Sequence, residues 1–147
     1  MTKFLRRKYL TVLQQDQHMR VRFPQFTRST KKTGSIAWKG TLQPTMLSDA
    51  YLVEIAYEPP FRPRIRVLSP PLRLRDDCHR QPHTFEDGTL CVHESYQWDG
   101  HQLVAETIVP WICLWLFFYQ TWLQTGAWRG EGTHPDLPQH RPVIAAS

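Results

Sequence analysis

Residues 82–93 read PHTFEDGTLCVH, and within them Cys91 follows an acidic-glycine turn, with His83 eight residues before it and His93 two after. A thiol bracketed by imidazoles suggests three chemistries: a metal site, a nucleophile with an assisting base, or an inert thiol in a hairpin. A structural zinc site would draw on Cys78, His79 or His83, Cys91 and His93, but the spacing lacks the short paired chelates that preorganise a tetrahedral set, so no metal is expected. A deaminase needs H-x-E with a downstream P-C-x-x-C, and neither occurs. Cys113 sits inside an apolar run and reads as an inert core thiol, as does Cys78. Cys91 stands among polar residues, which favours a reactive role.

Something must hold that segment. The chain has 147 residues, 41% of them hydrophobic and 12% aromatic, enough for one core and one domain over 1–147, with a proline-rich tail over 127–147. Leu5, Tyr9, Val12 and Leu13 form one stripe of an N-terminal helix whose other face is basic. SIAWKGTL, AYLVEIAY and RIRVL alternate as strands and predict an antiparallel meander of three or four. Residues 73–101 are polar and too long for an ordinary connection, which marks a functional loop. Pro110 suits a first helical position and Gly126 a C-terminal cap, bracketing WICLWLFFYQTWLQT as an almost wholly buried helix, with Trp111, Trp115, Phe118 and Trp122 as core. The fold class is therefore α+β.

Residues 1–40 hold ten Lys or Arg against the single Asp16, a local charge of +9 that leaves −4 on the rest. An acidic partner is expected there. Nucleic acid is one reading and a solvated helix face the other, because the aromatics do not interleave with the basic residues as a strand-stacking groove requires. The longest apolar run, Ile108 to Tyr119, is too short to span a bilayer. MTKFLRRKYL does not read as a secretory signal, and three cysteines make no disulfide framework, so a reducing cytoplasm is expected.

The loop also carries a resemblance. Counting back from Cys91, Leu90, Gly88, His83 and Pro82 stand where ubiquitin-conjugating enzymes have an aliphatic residue, a glycine, an asparagine and a proline before their active-site cysteine. YEPPFRPRIRVLSP at 57–70 is similar to the segment leading into the family's third strand, and Trp98 resembles its flap tryptophan. Gln81 replaces the motif's histidine and His83 its asparagine, and nothing after Gly126 resembles the family's two C-terminal helices. The ending WLQTGAWRGEGTHP resembles bacterial ubiquitin-conjugating-like proteins of CBASS antiphage operons, encoded beside a cyclic-oligonucleotide synthase.

The resemblance implies a ubiquitin-conjugating-like fold and a thioester carrier without cofactor. Cys91 would accept a protein C-terminal carboxyl, that of the synthase, and pass it to an amine or another acceptor. His83 would stabilise the oxyanion, and His93 is an assisting candidate, as a base or by lowering the thiol pKa. An activating protein would dock on the basic N-terminal helix. Access to Cys91 is expected to be narrow, which favours a terminal glycine. A non-catalytic binding module of the same fold and a basic nucleic-acid-binding protein remain as alternatives.

Overall fold

A computed structural model describes residues 9–130. Helix α1 (Val12–Arg22) is followed by strands β1 (Thr27–Ser29), β2 (Ile36–Leu42), β3 (Tyr51–Tyr57) and β4 (Arg64–Ser69), and then by helix α2 (Ile108–Thr125). The strands form one antiparallel sheet in sequence order. The α+β class and the meander stand as expected, with three-residue β1 as the fourth strand.

Alternation sets the register. Ile36, Trp38 and Leu42 on β2, Tyr51, Val53, Ile55 and Tyr57 on β3, and Ile65 on β4 are all buried, while Lys39, Arg64 and Arg66 stay in water. Gly40 leaves room for Phe26, whose ring lies 2.6 Å from where a Cβ would stand. Helix residues Ile108, Ile112, Trp115, Leu116 and Tyr119 complete the same core.

The N-terminal helix starts later than the apolar stripe suggests. Thr11 and Gln14 form a reciprocal capping box, with Gln14 N–H donating to Thr11 Oγ1 at 3.1 Å and Thr11 N–H to Gln14 Oε1 at 2.9 Å. This fixes Val12 as the first helical residue. Tyr9 therefore precedes the helix, Leu13 is exposed, and the buried face is Gln15, Asp16 and Met19. Leu5 lies outside the described residues. Gln15 ties the helix to the loop before α2, donating to the Gln102 carbonyl at 2.8 Å and accepting from Val104 N–H at 2.9 Å.

Helix α2 begins at Ile108 after Thr107, which puts Pro110 third in the helix, still within the turn whose N–H groups have no intrahelical acceptor. It ends as expected at Gly126, whose φ of +80° is the left-handed cap conformation. Arg75 adds a clamp, donating to the Leu123 carbonyl at 2.8 Å. The helix is not wholly buried: Leu114 is 52% and Phe117 44% exposed, and Trp111 and Phe118 are only partly covered. Among the described residues no helix is long and apolar enough to cross a membrane.

Candidate functional site

The segment from Thr84 to Leu90 is a small hairpin clipped to the sheet. Thr84 bridges Leu90, Phe85 N–H donates to the Thr89 carbonyl at 2.8 Å, and Leu90 N–H donates to the Ile65 carbonyl of β4 at 2.9 Å. Gly88, at φ +85°, supplies the left-handed residue that the turn requires. Asp87 organises the rest. One carboxylate oxygen accepts from Thr89 N–H at 3.0 Å and Thr89 Oγ1 at 2.6 Å, and the other accepts from Arg64 at 2.6 Å. The Thr89 and Arg64 bonds hold its pKa far below the usual carboxylate range. The acidic residue before the glycine thus shapes the turn.

His83 sits at the hinge between hairpin and helix. It is 5% exposed and adopts φ +49°, the one non-glycine residue in the left-handed region among the described residues. Histidine and asparagine are among the side chains enriched there, so His83 meets a backbone demand as well as any chemical one. Its carbonyl accepts from Cys91 N–H at 2.9 Å and from Trp115 Nε1 at 3.0 Å, which fixes the cysteine against α2. Its ring lies 4.8 Å from the Trp128 ring.

Cys91 is half-buried, and its Sγ lies 3.5 Å from the His93 carbonyl. Burial pushes the thiol up, and nearby Glu94 adds to this, against smaller opposing effects of Arg62 and a backbone hydrogen bond with His93. Burial likewise raises Cys113, which is half-buried rather than deep in the core, and Cys78, beside Asp77. Acidity therefore does not single out Cys91; location does. Cys91 lines a cavity of about 160 Å³ with Arg62 and Phe85, and a second of about 580 Å³ with His83, Trp111 and Trp128. Neither of the other two cysteines lines either one. The expected narrow approach is thus, on the α2 side, a roomy aromatic cavity.

His93 is a partly buried residue that borders both cavities, not a solvated loop histidine. Its Nδ1 lies 2.6 Å from the Glu94 carbonyl, which can only accept, so Nδ1 carries the proton and Nε2 keeps its lone pair. Burial lowers its pKa, so the ring is neutral at neutral pH. Such a ring can take a proton but cannot acidify the thiol through charge, which removes one of the two roles expected of it.

Gln81 donates to the Arg73 carbonyl at 2.7 Å, while its Oε1 is buried without a partner. Trp98 is buried at the flap and donates to Thr107 Oγ1 at 3.0 Å. Among the described residues no group of three His, Cys, Asp or Glu side chains could hold a metal ion. Sequence reasoning missed Trp128, which was assigned to the tail although it covers His83 and packs 5.3 Å from Trp115. Its signal was a lone aromatic two residues past a helix-capping glycine. Residues 131–147 of that tail lie outside the described residues.

The basic N-terminal charge is partly consumed within the fold. Arg20 and Arg28 pair with buried Asp16, Lys32 with Glu58 and Lys39 with Glu54. This weakens the case for a phosphate-binding face.

Among protein families, the model described as Type II CBASS E2 protein aligns with residues 15–135. No curated protein matches the chain.

Proposed function

Because the chain belongs to the Type II CBASS E2 protein family, and so has an E2-like role in CBASS antiviral defence alongside other components of its operon, we propose that it is a ubiquitin-conjugating-like thioester carrier with Cys91 as nucleophile. The observation that carries this reading is the position of Cys91 at the meeting of two cavities, both of which His93 also lines.

Two acyl transfers make up the cycle. In the first, the Cys91 thiol loses its proton and Sγ attacks an activated C-terminal carbonyl. The tetrahedral intermediate collapses by expelling the donor's leaving group, which takes up the proton. In the second, an acceptor amine attacks the thioester, His93 Nε2 removes its proton, and the Cys91 thiolate leaves and is reprotonated. Negative charge develops on the carbonyl oxygen in both, and the His83 ring, lining the same cavity as Cys91, is the donor assigned to it. A raised thiol pKa suits a carrier at rest, since little thiolate is present to react with stray electrophiles until a donor is bound.

The cargo is the C-terminal carboxyl of the operon's cyclic-oligonucleotide synthase, and an activating protein docks at the basic N-terminal segment. Alanine at each cysteine in turn, with non-reducing gels of chain and synthase together, tests the assignment. A thiol-sensitive adduct should disappear in Cys91→Ala alone. An adduct that survives in Cys91→Ala would show the Cys91 assignment to be wrong, and no adduct in any variant or in the parent chain would favour the non-catalytic binding module.

A further inference from the structure

Part of the apolar surface that helix α2 leaves in water borders Cys91. Trp111, Leu114 and Phe118, at i, i+3 and i+7, share a stripe along the helix, and all three line the 580 Å³ cavity that also contains Cys91. Trp115 and Trp128 line it too, and Glu94, Gln97 and Arg129 give it a polar part. Leu114 at the rim is half exposed, and Tyr96 beside it is 83% exposed. A cavity of this size and aromatic character falls in the range that holds an organic ligand, roughly 300–1,000 Å³. The cavity on the other side of Cys91, at about 160 Å³, does not.

We infer that the aromatic cavity is a specificity subsite for the donor, receiving a large apolar side chain carried just before the C-terminal residue of the chain that loads Cys91. This rests on the thioester reading above and adds the chemistry of the substrate to it. The occupant follows from connectivity. An acyl group bonded to Sγ must run away from Cys91 into space the protein leaves open, and the cavity on the α2 side is the one with room for more than a single side chain. The terminal residue itself lies against Sγ, where a small residue is favoured. The residue before it reaches Trp111, Leu114 and Phe118. Desolvating an aromatic or aliphatic side chain against Trp111, Leu114 and Phe118 aids binding, whereas a small hydroxyl side chain leaves that stripe uncovered.

The test uses short peptide thioesters, Ala-X-Gly joined to a small thiol, with X as Trp, Leu, Ser or Asp. Cys91 Sγ displaces the small thiol, which leaves with the proton, and loading is followed by intact mass. Trp and Leu should load about tenfold or more faster than Ser, the ratio expected for burying one such side chain. Leu114→Lys, at a position exposed enough to accept the change, should bring that ratio below about twofold. Phe117→Lys, on the exposed face of α2 but outside the cavity lining, should keep it. Equal rates for all four peptides, with an acetyl thioester loading Cys91 normally, would overturn the subsite and leave the carrier intact. An acetyl thioester that fails to load Cys91 at all would overturn both.

Discussion

The sheet end that holds α1 and the loop end that holds Cys91 satisfy their polar groups differently. Around Asp16, whose side chain is 7% exposed, both carboxylate oxygens are engaged: Trp38 Nε1 and Arg28 donate to one and Arg20 to the other. Burial raises this carboxyl's pKa, but the three donors outweigh it and leave the pKa lowered. The loop that holds Cys91 instead tolerates a left-handed histidine, a thiol pushed up by burial and aromatic surface in water, while among the described residues each end keeps one buried oxygen without a partner, Tyr57 Oη on β3 and Gln81 Oε1 in the loop. On the proposed function, the first region serves stability and the second reaction, and local strain is expected to collect in the second.

Substitutions at the two ends should separate the properties. Asp16→Asn should be the most damaging to stability, lowering it by about 2–4 kcal/mol in urea unfolding, because it removes the charge that Arg28 is packed against and weakens the acceptor for buried Trp38. Cys91 loading measured on the folded fraction should change little. The pH sign agrees: a carboxyl whose folded pKa is depressed contributes stability above its unfolded value, and that contribution is lost as pH falls below about 4. A full-strength acid transition in Asp16→Asn, unchanged from the parent, would show that other carboxylates set it.

At the reactive end, His83 is the informative position because it combines a backbone and a side-chain role. Replacement by Ala should slow thioester discharge by about a hundredfold, the usual cost of an oxyanion donor, and also strain φ. His83→Asn should retain most activity, since it tolerates the backbone and restores a donor. His83→Gly relieves the backbone and supplies nothing, so it should be as slow as Ala. Discharge by His83→Gly at the parental rate would reduce His83 to a structural residue.

The smallest expected effect is on pH dependence. With the thiol raised, loading from a small thioester should climb steadily through neutral pH and beyond 8. With His93 lowered, its base function should fade only below about pH 6.5. A loading rate already flat at pH 7 would mean that a partner group ionises Cys91.

Much of this fold was legible in the sequence, for definite reasons. Period-two alternation over β2 and β3 and the pairing of an apolar run with Gly126 leave little freedom. The start of α1 was not legible from periodicity, because the local capping box of Thr11 and Gln14 overrides a stripe that includes Tyr9. The exposure of Leu114 could not be read either: hydrophobicity says that a residue seeks cover, not whether this chain provides it. Cys91 was visible through its turn and its histidines. The left-handed φ of His83 and the placement of Trp128 over it arise only when the loop meets α2.

The central claim is that Cys91 carries an acyl group, and intact mass of the chain co-expressed with its operon neighbours tests it most directly. A species heavier by one partner chain less one water is expected, with the bond mapped to Cys91 and released by excess thiol. A partner found only as a dissociable complex, or an adduct mapped to Cys78 or Cys113, would contradict it.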